Sequence, residues 1–169
     1  DSGIKKPILV LHPQSVNFDT LIERCLEPSL YSPHVLREFL KATERLNQKN
    51  YPVHVKFNTG LNRLGFWEND IDFIAEQLKD RTELRVLSLF SHLAASEDEN
   101  ERDFSLNQIE SFKKIYKEFD EKLAFKTFKH VLNTSGIINY PEAQFDMVRS
   151  GIGLYGFGNE PQIDKELKP

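Results

Sequence analysis

Four stretches of this chain set a polar or cationic residue at the end of an apolar run, which is how a buried strand presents one reactive side chain. Val53-His54-Val55-Lys56-Phe57 leads into a turn with Arg63 between Gly60 and Gly65. Lys56 alternates with apolar neighbours and so points to one side of its strand, where a lysine facing an interior needs a partner or a modification. The two glycines allow a tight turn that aims the Arg63 guanidinium inward. The alternative is an exposed lysine and a surface arginine. Ser91-His92 follows the apolar run Leu84 to Phe90, in the same position relative to its strand. Asn133-Thr134-Ser135-Gly136 offers hydroxyls and N–H groups at the start of a helical turn, a set that suits a phosphate and equally a helix N-cap. Phe145 to Gly156 reads as a buried strand ending at Arg149, then a loop with glycine at 151, 153 and 156 that lets backbone N–H groups approach an anion. His130 lies within a strand and reads as a packing residue.

Placing these groups together requires a repeating frame. Short apolar runs at Pro7 to Leu11, Pro28 to Ser32, Val53 to Phe57, Leu84 to Phe90, Phe128 to Leu132 and the start of Phe145 to Gly156 read as six strands. Helical spacing separates them, at Asn17 to Leu26, His34 to Asn47, the acidic segment after Trp67, Phe104 to Phe119 and a short turn before Pro141. Ser32-Pro33 opens the second helix, and the polar segment Ser96 to Asp103 reads as an exposed loop. Strand and helix in alternation imply an α/β fold with parallel strands and right-handed crossovers. An open doubly wound sheet and part of a (β/α)8 barrel both fit. His92, Asn133, Arg149 and the Gly60 to Arg63 segment all fall at C-terminal strand ends, as barrel sites do. A whole barrel takes ~250 residues, so 169 residues imply a partial TIM barrel.

Composition narrows the function classes. With 39% hydrophobic and 28% charged residues and a net charge of −4, the chain reads as one soluble domain without a nucleic-acid or anionic-membrane surface. It has no apolar run of membrane-spanning length and no signal peptide at its start. The single cysteine, Cys25, lies in an apolar helical pattern; it reads as a structural thiol and fits a reducing cytoplasm. Five scattered histidines lack metal-ligand spacing, so no metal is assigned. No Gly-x-Gly-x-x-Gly follows an early strand, which disfavours a doubly wound nucleotide binder.

Taken together, Lys56 to Gly65, Phe90-Ser91-His92, His130 to Gly136 and Phe145 to Gly156 resemble the N-terminal barrel domain of pyridoxal-phosphate-dependent alanine racemases. The resemblance runs through essentially the whole chain from Pro7 onward. The wording around Leu26-Glu27-Pro28 and Pro141 to Arg149 is most similar to racemases of the Bacteroidetes type, often fused behind a ligase that adds D-alanyl-D-alanine to the muramyl peptide.

The resemblance implies the third through eighth strands of that barrel over residues 1–158, with 159–169 as a linker toward a C-terminal β domain. It implies interconversion of L- and D-alanine for peptidoglycan, a homodimer and a cytoplasmic location. By position, Arg149 matches the arginine at the cofactor's pyridine nitrogen, and Arg63 the arginine near its phenolic oxygen and the substrate carboxylate. His92 matches the histidine positioning the pyridine-binding arginine, and Lys56 a lysine carbamylated in several members. Thr134 with the N–H groups of Gly151 and Ile152 matches the phosphate cradle, Asn133 the asparagine beside it, and Leu11 an apolar cofactor contact.

Two residues depart from the pattern: Thr134 stands where serine is usual, and Asn58 where many members have aspartate. The family's Schiff-base lysine would precede Asp1 and its catalytic tyrosine would follow Pro169, so the expectation is that these 169 residues alone are inactive, bind the cofactor weakly and self-associate through open strand edges. Rival readings are a non-catalytic pyridoxal-phosphate-binding barrel, and a racemase or decarboxylase of the same barrel type with another amino-acid substrate.

Overall fold

The computed structural model describes residues 3–123 and 126–158. The segment 159–169, expected as a linker, lies outside the described residues.

Five parallel strands, β1 (Leu9–Val10), β2 (Glu27–Leu30), β3 (Tyr51–Lys56), β4 (Leu84–Phe90) and β5 (Phe128–His130), pair in the order β1-β2-β3-β4-β5. Sequential order decides between the two candidate architectures. A doubly wound sheet reverses its order at a switch point, and this one does not. The result is a half-barrel.

Helices α1 (Phe18–Glu23), α2 (Pro33–Arg45), α3 (Ile71–Leu78), α4 (Arg102–Leu123) and α5 (Thr134–Asn139) form the crossovers and the turn after β5. Local chemistry explains their starts. Ser32 Oγ accepts from the Val35 N–H at 3.2 Å, with Pro33 in the first helical position of α2. Asn133 Oδ1 caps α5 through the Gly136 N–H at 2.9 Å.

The two faces of the sheet differ in chemistry. Val53 and Val55 of β3 and Leu84, Val86 and Leu89 of β4 join the apolar core with α2 to α4, where Phe39 packs edge-on to Phe18 and Tyr51, and Phe119 to Phe57. Alternation sends His54 and Lys56 of β3, Ser88 and Phe90 of β4 and His130 of β5 to the inner side. A register shift between Val53 and His54 brings His54 opposite Ser88. The apolar face holds the fold together, and the polar inner face carries the site.

Three expectations are corrected. The sixth strand, expected from Phe145, is absent among the described residues: Phe145 has φ +48° and packs edge-on against Phe112 and Tyr116 of α4, which pulls the chain out of an extended path. Two backbone bonds, Asp146 N–H to Lys129 O (3.1 Å) and Arg149 N–H to Leu132 O (3.0 Å), tie this segment to the β5 side together with Lys129 N–H to Asp146 Oδ2 (2.8 Å) and the Arg149 side chain, without forming a strand ladder among the described residues. Cys25 is exposed with φ +53°, just past the end of α1, so it is not a buried helical thiol. Ser96, in the expected exposed loop, is buried and donates to Asn133 Oδ1 at 2.8 Å. No described helix is long and apolar enough to cross a membrane.

Candidate active site

At the C-terminal ends of the strands lies a cavity of about 640 Å³. Of the residues singled out from sequence, Leu11, Lys56, Arg63, His92, Asn133, Arg149 and Gly151 line it. Thr134 and Ile152 are not in that lining but sit beside it: Thr134 Oγ1 accepts from the N–H groups of Gly151 (2.9 Å) and Gly153 (3.1 Å). This ties the glycine loop to the start of α5. Among the described residues the Ile152 N–H has no hydrogen-bond partner.

Arg149 is gripped by neutral acceptors. One Nη donates to His130 Nδ1; the other lies 2.7 Å from Ser91 O, 3.2 Å from Val131 O and 3.2 Å from His92 Nδ1. No described residue accepts from its Nε–H. Burial pushes its pKa down to about 10, which leaves it cationic at neutral pH. The His92 ring is desolvated and faces Arg149, so its pKa falls to about 4 and it is neutral. A neutral imidazole that accepts at Nδ1 carries its proton on Nε2. His130 is likewise pushed far down, by burial and then by Arg149.

Lys56 is buried, at 5% exposure, with no carboxylate in ion-pair range among the described residues. Desolvation first, then Arg63 and Arg149, lower its pKa to about 8. The Phe90 ring lies beneath both cations, 5.9 Å from Lys56 Nζ and 5.2 Å from the Arg149 guanidinium carbon, and stacks on His130 at 4.9 Å.

Arg63 arrives on a loop closed at its base by Asn58 N–H to Phe66 O and Phe66 N–H to Lys56 O, each 2.8 Å. Gly65 makes that closure feasible: at φ +138°, a Cβ there would stand 2.5 Å from Asn58 N. Asn58 organises the loop interior. Its Oδ1 accepts from the N–H groups of Gly60 and Asn62, and its Nδ2 donates to Asn62 Oδ1 at 3.0 Å. The amide therefore uses a donor that an aspartate lacks.

His12, Leu64, Phe90 and Ser150 also line the cavity and were missed from sequence. His12 and Phe90 stand at strand ends like the residues that were found, so position alone could have flagged them. His130 had no such signal, because its partner Arg149 is nineteen residues away. No group of three or more His, Cys, Asp or Glu that could hold a metal ion occurs among the described residues.

A family model described as alanine racemase, N-terminal domain, matches residues 1–159. The chain belongs to the alanine racemase N-terminal domain family. It is 33% identical over 170 residues to an alanine racemase of Carboxydothermus hydrogenoformans and 30% identical over 174 residues to one of Treponema denticola. These matches cover 99% and 100% of this chain but 45% and 46% of those relatives, so the chain spans about half their length. Among solved structures it superposes on an alanine racemase of Clostridium difficile 630 with a TM-score of 0.86 at 28% identity, covering 97% of this chain and 43% of that one. The alanine racemase of Acinetobacter baumannii gives 0.82 at 25%, covering 99% and 46%. Within this family fold, the half-barrel and its cationic cavity account for most of the described chain.

Proposed function

We propose that this chain forms the cofactor-binding side of a pyridoxal 5'-phosphate-dependent alanine racemase that interconverts L- and D-alanine for peptidoglycan synthesis. The observation that carries the reading is a cavity lined by Lys56, Arg63 and Arg149 with no carboxylate in its lining, in which the Arg149 Nε–H has no acceptor among the described residues. A cationic cavity of that kind fits an anionic ligand bearing a ring nitrogen. When bound, the cofactor supplies an electron sink for the α-carbon of the amino acid.

The chain's own residues set how strong that sink is. Arg149, held by His130, Ser91, Val131 and His92, would donate to the pyridine nitrogen without giving up its proton, which would leave the nitrogen unprotonated and the sink moderate. That suits a reaction which must return the proton to the same carbon. His92 holds Arg149 through Nδ1. Arg63 would meet the phenolic oxygen and the substrate carboxylate, and Leu11 would supply an apolar contact, both from the cavity lining.

Thr134 with the Gly151 and Ile152 N–H groups would receive the phosphate, beside Asn133, the Gly151 N–H turning to it from Thr134 Oγ1. In this reading the Oδ1 of Asn133 shapes the cradle by capping α5, since it already accepts from Gly136 and Ser96. Lys56, with a pKa near 8 and two arginines for neighbours, is suited to add carbon dioxide. Its neutral amine would form an N–C bond and release one proton, leaving a carbamate that braces Arg63.

Within the whole barrel we place β1 to β5 as the third to seventh strands, with 145–149 running where the eighth would lie. We further propose a cytoplasmic homodimer of the Bacteroidetes type, carried behind a peptide ligase. The test is racemisation of L-alanine by the intact protein with added cofactor. Turnover that depends on cofactor and falls in Arg149→Met supports the reading, and a protein that shows neither contradicts it.

A further inference from the structure

We infer that Glu27, near the far end of the strands from the cavity, is a positioning residue for Arg149, acting through a buried hydrogen-bond chain Glu27–His54–Ser88–His130–Arg149. The functional weight of this inference rests on the reading of Arg149 as the pyridine partner; the chain itself does not. Its links are His54 Nε2 to Glu27 Oε2 at 2.9 Å, His54 Nδ1 to Ser88 Oγ at 2.6 Å, Ser88 Oγ to His130 Nε2 at 3.0 Å, and His130 Nδ1 to an Arg149 Nη. It crosses β2, β3, β4 and β5 along the inner face. His54, Ser88 and His130 are all buried.

Proton accounting allows one direction. A guanidinium only donates and a carboxylate only accepts, so each end of the chain dictates the same order. Arg149 donates to His130 Nδ1, His130 Nε2–H to Ser88, the Ser88 hydroxyl to His54 Nδ1, and His54 Nε2–H to Glu27. Every interior group donates once and accepts once, and no donor is left over. The reverse order would set two N–H groups against each other at Arg149 and two lone pairs at Glu27.

Desolvation lowers the pKa of both rings, more strongly than Glu27 raises that of His54, and one proton per ring is what the chain requires. Stacking on Phe90, with ring planes 5° apart, fixes the plane of His130. Arg149 has no carboxylate in ion-pair range among the described residues. Glu27 therefore supplies a distant negative end that polarises each bond toward Arg149, and the paired Nη leaves the Nε–H for the cavity.

The test is a double-mutant cycle in the intact protein, with ¹⁵N-labelled histidine and signals assigned by His54→Gln and His130→Asn. Without cofactor, Glu27→Gln, which keeps the shape and removes the charge, moves the His130 ring-nitrogen resonances. In a Ser88→Ala background the same substitution leaves them in place. With cofactor, Glu27→Gln weakens its binding roughly 3- to 10-fold, and this loss too disappears behind Ser88→Ala. Melting temperatures of the variants separate unfolding from uncoupling. A His130 signal indifferent to Glu27→Gln, or an equal response with and without Ser88, overturns the inference. A coupled His130 signal with unchanged cofactor affinity supports the chain and overturns instead the reading of Arg149 as the pyridine partner.

Discussion

On the helical exterior Lys41 pairs with Glu38, Arg45 with Asp19, Arg81 with Glu44, Lys113 with Glu110, and Lys122 with both Asp72 and Glu118. On the inner side Lys56, Arg63 and Arg149 share one cavity, and none has a carboxylate within ion-pair range among the described residues. The exterior pairs are solvated and contribute little to stability. Lys56 and Arg149 are partly desolvated, and Lys56 is further repelled by Arg63 and Arg149, which costs stability in the bare protein. Such charge is what the proposed anionic ligand would neutralise. Desolvated cations without a carboxylate mark the site here.

Substitutions can break or sharpen that contrast. The largest effect is expected at Gly65, which lets the Arg63 loop fold back over Phe57. Gly65→Ala puts a Cβ into backbone at φ +138°, and denaturant unfolding should show a loss of ~3 kcal/mol or more. Next, Arg149→Met removes the central inner cation and its charge-assisted bond, and titration of the intact protein with cofactor should show binding weaker by ~10- to 100-fold.

Lys56→Met should stabilise the cofactor-free, uncarbamylated protein by on the order of 1 kcal/mol. The sign follows from a folded pKa of about 8 against the ordinary lysine value of 10.5. The penalty of holding Lys56 charged is fully present below pH 8, shrinks as pH rises, and is gone above 10.5. Melting curves of Lys56→Met and its parent should therefore converge between those values. The smallest effect belongs to the exterior: Arg45→Ala should leave the melting temperature essentially unchanged despite its 2.5 Å pair with Asp19. A large loss there would undo the comparison.

The same contrast explains what the sequence revealed. Strands and helices follow periods of two and 3.6, so the order of elements was legible, and parallel strands bring their C-terminal ends together whatever the loops do. That is why Arg63, His92, Asn133 and Arg149 could be grouped before any coordinates. The expected strand at Phe145 failed because edge-on packing against α4 overrode its apolar run. His130 reads as a core histidine on periodicity alone, since its role depends on one long-range contact with Arg149. Asn58 was legible as a departure from the family pattern, and only the loop's hydrogen bonds show why an amide serves there.

The central claim is that Arg149 presents an N–H to a pyridine nitrogen. The direct measurement is the ¹⁵N resonance of pyridine-labelled pyridoxal phosphate bound to the intact protein at neutral pH. An unprotonated ring nitrogen that shifts in Arg149→Met is the result predicted, and a protonated nitrogen, or one indifferent to Arg149, would contradict the account.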